Sequence, residues 1–236
     1  DFEGAVWCPS DGVTDAQQLL NGFFRQARAL GVRMLTDCAV IEITRRGERV
    51  VSVSTSKGEI EAETVVNAAG PWAGKVGAMA RALDIEFRPL RRHLFFSGAL
   101  NWASPEWPFV WDVSQEVYFR PESRGLLLCP CDETESEPGL PAVDPAAHDL
   151  LAEKLGRAFP LLLETPVARS WAGLRTFSPD RHFVIGWDPS LEGFFWVAGL
   201  GGHGVTTSAA VGALAAGEIL ADRRISRSPF TPTRFL

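Results

Sequence analysis

Thr64-Val65-Val66-Asn67-Ala68-Ala69-Gly70-Pro71-Trp72 opens as a β-branched run and passes without a break into a turn of small residues. The run suits a short buried strand, and a helix of small residues is expected after it, from Ala73 to Leu83. A second stretch repeats this grammar. Phe194–Ala198 reads as a strand, Gly199-Leu200-Gly201-Gly202-His203-Gly204 as a turn, and Val205 to Leu220 as a helix. Strand, tight turn and helix in that order are the signature of α/β architecture.

The second turn satisfies Gly-x-Gly-x-x-Gly between a strand and a helix, the setting a dinucleotide-binding fingerprint requires. The rest of such a unit is missing. No strand follows the helix, and no ribose-binding acid lies about 20 residues on. Two readings of the turn stay open. Its glycines can bring bare backbone and helix-end N–H groups to a ligand, or they can allow close packing at a strand–helix junction.

Working outward, Thr14-Asp15 offers capping oxygens to a helix with Leu19, Leu20, Phe23, Phe24, Ala27 and Leu30 at helical spacing, ended by Gly31. Short strands are expected at Val32–Leu35, Val40–Thr44, Val50–Thr55 and Glu59–Ala62, with turns at Arg46-Gly47-Glu48 and Ser56-Lys57-Gly58. From Glu86 to Trp171 strand-like runs (Phe87–Phe96, Val117–Arg120, Leu126–Cys129) alternate with Pro- and Trp-rich loops, and one amphipathic helix spans about Pro145–Phe159. Arg88, Arg91, Arg92 and His93 form a basic cluster, read as a solvated edge or, alternatively, as a place for an anionic substrate. Asp132–Asp144 reads as an acidic surface loop, Asp180 as the cap of its own turn, and the tail from Asp222 as loosely packed.

The 236 residues are 46% hydrophobic and 22% charged, which excludes disorder as the main state. A net charge of -6 without a basic run argues against a nucleic-acid partner. The apolar stretches fall short of a membrane span, no leader is visible at Asp1-Phe2-Glu3-Gly4, and a cytoplasmic location is expected. Folding should leave about 10,000 Å² accessible. Cys8, Cys38, Cys129 and Cys131 lack Cys-x-x-Cys spacing and the four histidines are scattered, so no metal site is expected and the thiols should be reduced and mostly buried.

Three segments in order resemble the FAD-dependent D-amino-acid oxidase superfamily, which includes glycine oxidase, sarcosine oxidase and D-amino-acid dehydrogenase. They are Val65–Ala73, then Gly173-Leu174-Arg175-Thr176-Phe177-Ser178-Pro179-Asp180 with Val184-Ile185-Gly186, then Gly201-Gly202-His203-Gly204. The resemblance spans roughly residues 4–221. It implies a mixed α/β chain with a partial FAD-binding domain (15–80 and 172–222), interleaved with a mostly antiparallel-sheet substrate domain (1–14 and 81–171), and a tail at 223–236. That family's phosphate-binding βαβ unit has no counterpart upstream of Asp15, and the chain does not begin with Met. The expectation is a fragment, or a subunit whose partner completes the FAD site.

The resemblance also implies roles. Val40 would meet the adenine, and Ala68, Ala69 and Gly70 the adenosine and pyrophosphate side, with Trp72 a packing wedge beside them. Gly201, Gly202, His203 and Gly204, with Val205 and Thr206 opening the helix, would face the flavin pyrimidine edge. His203 either adds a charge or braces the turn. Gly173 stands where sarcosine oxidases carry their flavin-bonding Cys, so FAD would be non-covalent there. Arg175 would hold the substrate carboxylate as a bidentate fork. Tyr118, the sole tyrosine, is either a second donor to that carboxylate or a core residue. The expected reaction is hydride transfer from a small amino or N-alkylamino acid to flavin N5. The alternatives are oxidation of a 2-hydroxy acid on the same scaffold, and a non-catalytic chain that binds no flavin alone.

Overall fold

The computed structural model describes residues 3–221 and 228–236. The Asp15 carboxylate accepts the Gln18 backbone N–H at 2.9 Å and starts α1 (Ala16–Ala29), satisfying one of the donors every helix start leaves unpaired. Gly31, at φ 87°, follows its end. The apolar face is present, yet no residue of α1 is buried, and Leu20 and Phe23 are 61% and 47% exposed. Val32–Leu35, expected as a strand, is irregular. Among the described residues nothing pairs with it, and a strand without a partner leaves its backbone groups to water.

β1 (Val40–Arg46), β2 (Arg49–Thr55) and β3 (Gly58–Glu61) form an antiparallel meander. β4 (Val65–Asn67) leads through a 3-10 turn at Gly70–Trp72 into α2 (Ala73–Ala80). That helix stops short of Leu83 because Arg81 turns left-handed at φ 50°. Next come β5 (Arg88–Phe96), β6 (Val110–Asp112), β7 (Val117–Glu122), β8 (Gly125–Cys129), α3 (Ala146–Ala158) and β9 (Arg169–Phe177). β10 (Val184–Trp187), β11 (Phe194–Ala198) and α4 (Ser208–Leu220) complete the order.

β11 is the centre of one sheet, antiparallel to β10 and parallel to β4. Alternation sends Phe194 and Trp196 to one face, against Ile43, Val50 and Ala80, and Phe195 to the other, against Val211 and Ala215 of α4. A strand buried on both faces explains the unbroken apolar run Phe194–Ala198. β5–β9 form a five-stranded antiparallel sheet in the order β6-β7-β8-β5-β9. Its residues run to Phe177, past the expected boundary at 171–172. Phe95, Phe119 and Leu128 cover one face and pack on Leu151 and Leu155 of α3.

Two surface readings are corrected. The basic cluster on β5 is not a solvated edge, and residues 132–144 are not a free loop. The acidic segment runs along β5, with the Arg91 N–H donating to Thr134 O at 2.7 Å and the Ser136 N–H to Pro89 O at 3.0 Å. Its carboxylates pair with the cluster: Asp132 with His93 at 2.7 Å, Glu133 with Arg92 at 3.0 Å, Glu135 with Arg88 at 2.9 Å and Asp144 with Arg91 at 3.4 Å. Opposite charges on adjacent segments leave solvent for each other. The described part of the tail is also held. The Ile185 N–H donates to Phe230 O at 2.9 Å, Pro232 is buried, and Arg234 reaches Asp180 at 2.6 Å; residues 223–227 lie outside the described residues.

The accessible surface is 14865 Å², about half again the expected value. The excess follows from the uncovered face of α1, the irregular 32–35 segment and the unpaired edge of β4, where Val66 is exposed. Among the described residues no helix is long and apolar enough to cross a membrane.

Candidate functional site

The two small-residue corners lie side by side. Asn67 pairs in parallel register with Trp196, so the turn after β4 and the turn after β11 leave the same end of the sheet. Buried Asn67 shapes the first corner: its amide donates to Ala73 O at 2.9 Å, and its side-chain oxygen accepts the Ala69 N–H at 3.3 Å. Gly70 sits at φ 54°, and a Cβ there would meet no atom within 4 Å. Ala68 is exposed and Ala69 half-buried, so the corner's backbone is open. Trp72 is 44% exposed and is therefore not the expected packing wedge.

The second corner is pressed against β9. The Gly201 N–H donates to Thr176 O at 3.0 Å. Gly201 and Gly202 have φ of 53° and 88°, and Cβ atoms there would come within 2.7 Å of Phe177 Cε1 and 2.6 Å of Arg175 Nε. Glycine is required for this packing, yet Gly202 and His203 remain exposed and Gly204 half-exposed. The packing reading of the turn holds, and its outer backbone stays accessible. The His203 carbonyl accepts the Thr207 N–H at 3.0 Å and the Thr206 and Thr207 hydroxyls at 3.0 and 2.7 Å. Those hydroxyl bonds compete with helix formation, and α4 starts at Ser208 with Thr207 as its cap. Val205 and Thr206 thus lie in the approach to the helix and do not open it.

The face of the five-stranded sheet turned away from α3 carries the remaining candidates. The register sets Trp111 beside Tyr118, Tyr118 beside Cys129, Arg92 beside Gly173 and Leu90 beside Arg175. A Cβ on Gly173 would meet open space. Burial raises the Tyr118 pKa, the Cys129 sulfur pushes it further, and the Arg175 charge acts the other way from close by. The phenol therefore stays protonated and remains a donor. Arg92 is buried; burial disfavours its charge, but Cys129, Cys131 and Glu133 more than restore it. Val40 lies in a different sheet, at the exposed start of β1, which packs on α2. Asp180 accepts the Ser178 hydroxyl at 2.9 Å and the His182 N–H at 3.1 Å, as a turn cap should. Cys129, on β8 between Tyr118 and Arg92, was not singled out from sequence as a site residue, and only strand alternation from Tyr118 would have found it; Arg92 was read only as part of the basic cluster.

The open backbone of Ala68–Gly70 follows β4 beside the strand that leads into the Gly201–Gly204 turn, and the Arg175 side chain packs at Gly202 through its Cδ and Nε. The sequence matches the DAO family, FAD dependent oxidoreductase, over residues 1–218. The chain belongs to this family. It is 28% identical over 266 residues to the FAD-dependent oxidoreductase domain-containing protein 1 of Xenopus laevis, covering 96% of the chain and 52% of that protein. It is 27% identical over 219 residues to the mitochondrial sarcosine dehydrogenase of Mus musculus, covering 87% and 24%. The L-proline dehydrogenase of P. horikoshii shares the fold, with a TM-score of 0.86 at 24% identity over 97% of this chain and 62% of that one. The chain spans about half the length of the Xenopus relative.

Proposed function

We propose that this chain forms the substrate side and part of the flavin side of an FAD-dependent enzyme that oxidises a small amino or N-alkylamino acid. The observation that carries the reading is the packing of Arg175 Cδ and Nε at Gly202, where no Cβ could be placed: a carboxylate-binding side chain runs along the turn that would border the flavin. The sarcosine dehydrogenase relative acts, by its name, on an N-methylamino acid, which supports the substrate class.

Arg175 would take the substrate carboxylate in two parallel charge-assisted bonds. Tyr118, kept protonated, would donate a further bond. Together they would fix the α-carbon in one orientation, which is the protein's main contribution when a cofactor does the redox chemistry. FAD, when bound, accepts the hydride. Ala68, Ala69 and Gly70 would hold its adenosine and pyrophosphate side and Val40 its adenine. Backbone N–H groups of Gly201–Gly204, with His203, Val205 and Thr206, would face its pyrimidine edge and stabilise negative charge there. With Gly173 in place of a cysteine, no covalent bond to FAD forms from that position.

A further segment or a partner subunit would complete the site. The unpaired edge of β4 and the bare apolar face of α1 support this, since surfaces of that kind mark interaction sites. The four free cysteines are consistent with a cytoplasmic location. The test is a visible spectrum of the protein purified with that segment or subunit. Near-stoichiometric flavin, bleached under anaerobic conditions by sarcosine or another small amino acid, is expected. Bound flavin that no amino acid bleaches would refute the substrate class, and a colourless complete complex would refute the cofactor reading.

A further inference from the structure

Cys129 and Cys131 sit at the end of β8 around Pro130, both buried. Cys131 adopts φ 50°, uncommon for a residue other than glycine, and its backbone N–H turns back to the Cys129 sulfur at 3.4 Å. Tyr118 is the register partner of Cys129 on β7, and the Cys131 thiol and the Tyr118 hydroxyl are near enough to act on that sulfur. Lys154 grips the turn, donating to Pro130 O at 2.7 Å and Glu116 O at 3.2 Å. Buried Arg92 faces the pair, and its Nε has no hydrogen-bond partner. A backbone N–H, two protic side chains and the buried Arg92 cation around one sulfur suit a thiolate, and a second thiol lies two residues away.

We propose that Cys129 and Cys131 form a peroxide-reactive dithiol that closes to an intramolecular disulfide. The Cys129 sulfur attacks one peroxide oxygen, the O–O bond breaks, and the other oxygen leaves as water after taking a proton. The sulfenic acid on Cys129 then meets the Cys131 thiol. The S–S bond forms and the second oxygen leaves as water. Two thiols are oxidised, one peroxide is reduced, and two waters result. Burial pushes the Cys129 thiol up, but Cys131, Tyr118 and the Arg92 charge outweigh it and hold the group below the ordinary thiol value. Cys131 is pushed up instead by donating to that sulfur, which keeps it protonated. At pH 7 Cys129 is then more fully thiolate than an ordinary thiol near 8.5.

The experiment is limited hydrogen peroxide on the native chain, followed by alkylation and peptide mapping. The peptide holding residues 129–131 should lose two hydrogens and escape alkylation before exposed Cys8 reacts. Its rate should fall by clearly less than the about hundredfold that an ordinary thiol loses from pH 7 to pH 5; Tyr118, Cys131, Arg92, Lys154 and Glu133 are the ionisable groups around the two thiols, so this slope reads their combined field. Cys131→Ser should leave a sulfenic acid on Cys129 that a 1,3-diketone probe traps. Oxidation of Cys8 while both alkylatable thiols persist at 129 and 131 would overturn the proposal, as would Cys131→Ser protein that yields no trapped Cys129.

Discussion

Gly202→Ala separates two consequences of one methyl group. At φ 88° an alanine is held in the left-handed region, which costs about 1–2 kcal/mol. For a chain of this length that is a fall in Tm of roughly 2–8 °C. The new Cβ would also stand 2.6 Å from Arg175 Nε and 2.7 Å from its Cδ, closer than non-bonded carbon contacts allow. The turn is anchored to β9 through the Gly201 N–H, so the flexible arginine is what yields. A displaced fork gives up most of a charge-assisted pairing worth about 1.5–3 kcal/mol, equivalent to a KM for carboxylate substrates roughly 10- to 150-fold higher. Thermal melts and steady-state kinetics of the flavin-loaded protein read the two effects. Gly212→Ala on α4, where a Cβ meets open space, is the control and should be neutral or stabilising by up to ~1 kcal/mol. If Gly202→Ala loses stability as expected but keeps its KM within twofold, Arg175 does not hold the carboxylate.

Other perturbations follow from the packing. Gly77→Ala gains about 1 kcal/mol of helix propensity, but its Cβ would lie 2.3 Å from Cη2 of fully buried Trp196. Overpacking costs ~1–3 kcal/mol, so urea denaturation should show a net loss. His93→Ala removes the 2.7 Å imidazole hydrogen bond to buried Asp132 and the acceptor of the Asp144 N–H, and should cost about 1–3 kcal/mol in the same assay. The Arg234 guanidinium beside Asp180 holds that carboxyl well below its ordinary 3.8. Such a depressed group contributes stability above its unfolded pKa and loses it as pH falls below that value. Arg234→Ala should therefore reduce stability at neutral pH and flatten its loss below about pH 4, as acid titration followed by circular dichroism would show.

Local chemistry made the elements legible. Asp15 and Gly31 bound α1 as caps should, and Gly47 and Gly58 mark the meander's turns. The run Phe194–Ala198 announced a strand buried on both sides. Long-range pairing was not legible. Nothing in Asp132–Asp144 alone says that its carboxylates lie along β5, because the ion pairs join residues some forty to fifty positions apart. Val32–Leu35 has strand composition but no strand to pair with among the described residues, so pattern overstated structure there. Of the site, the two corners and Arg175 were readable as motifs, whereas Cys129 enters only through the register of β5, β7, β8 and β9. Thr206 and Thr207 hid the true start of α4 by returning their hydroxyls to His203.

The most direct test is a difference spectrum of the flavin-loaded protein titrated with acetate, an unreactive carboxylate. If the glycine turn borders the flavin and Arg175 stands against it, acetate shifts the visible flavin bands saturably, and Arg175→Ala abolishes the shift while flavin stays bound. Equal shifts in both proteins, or none in either, would contradict that shared cleft.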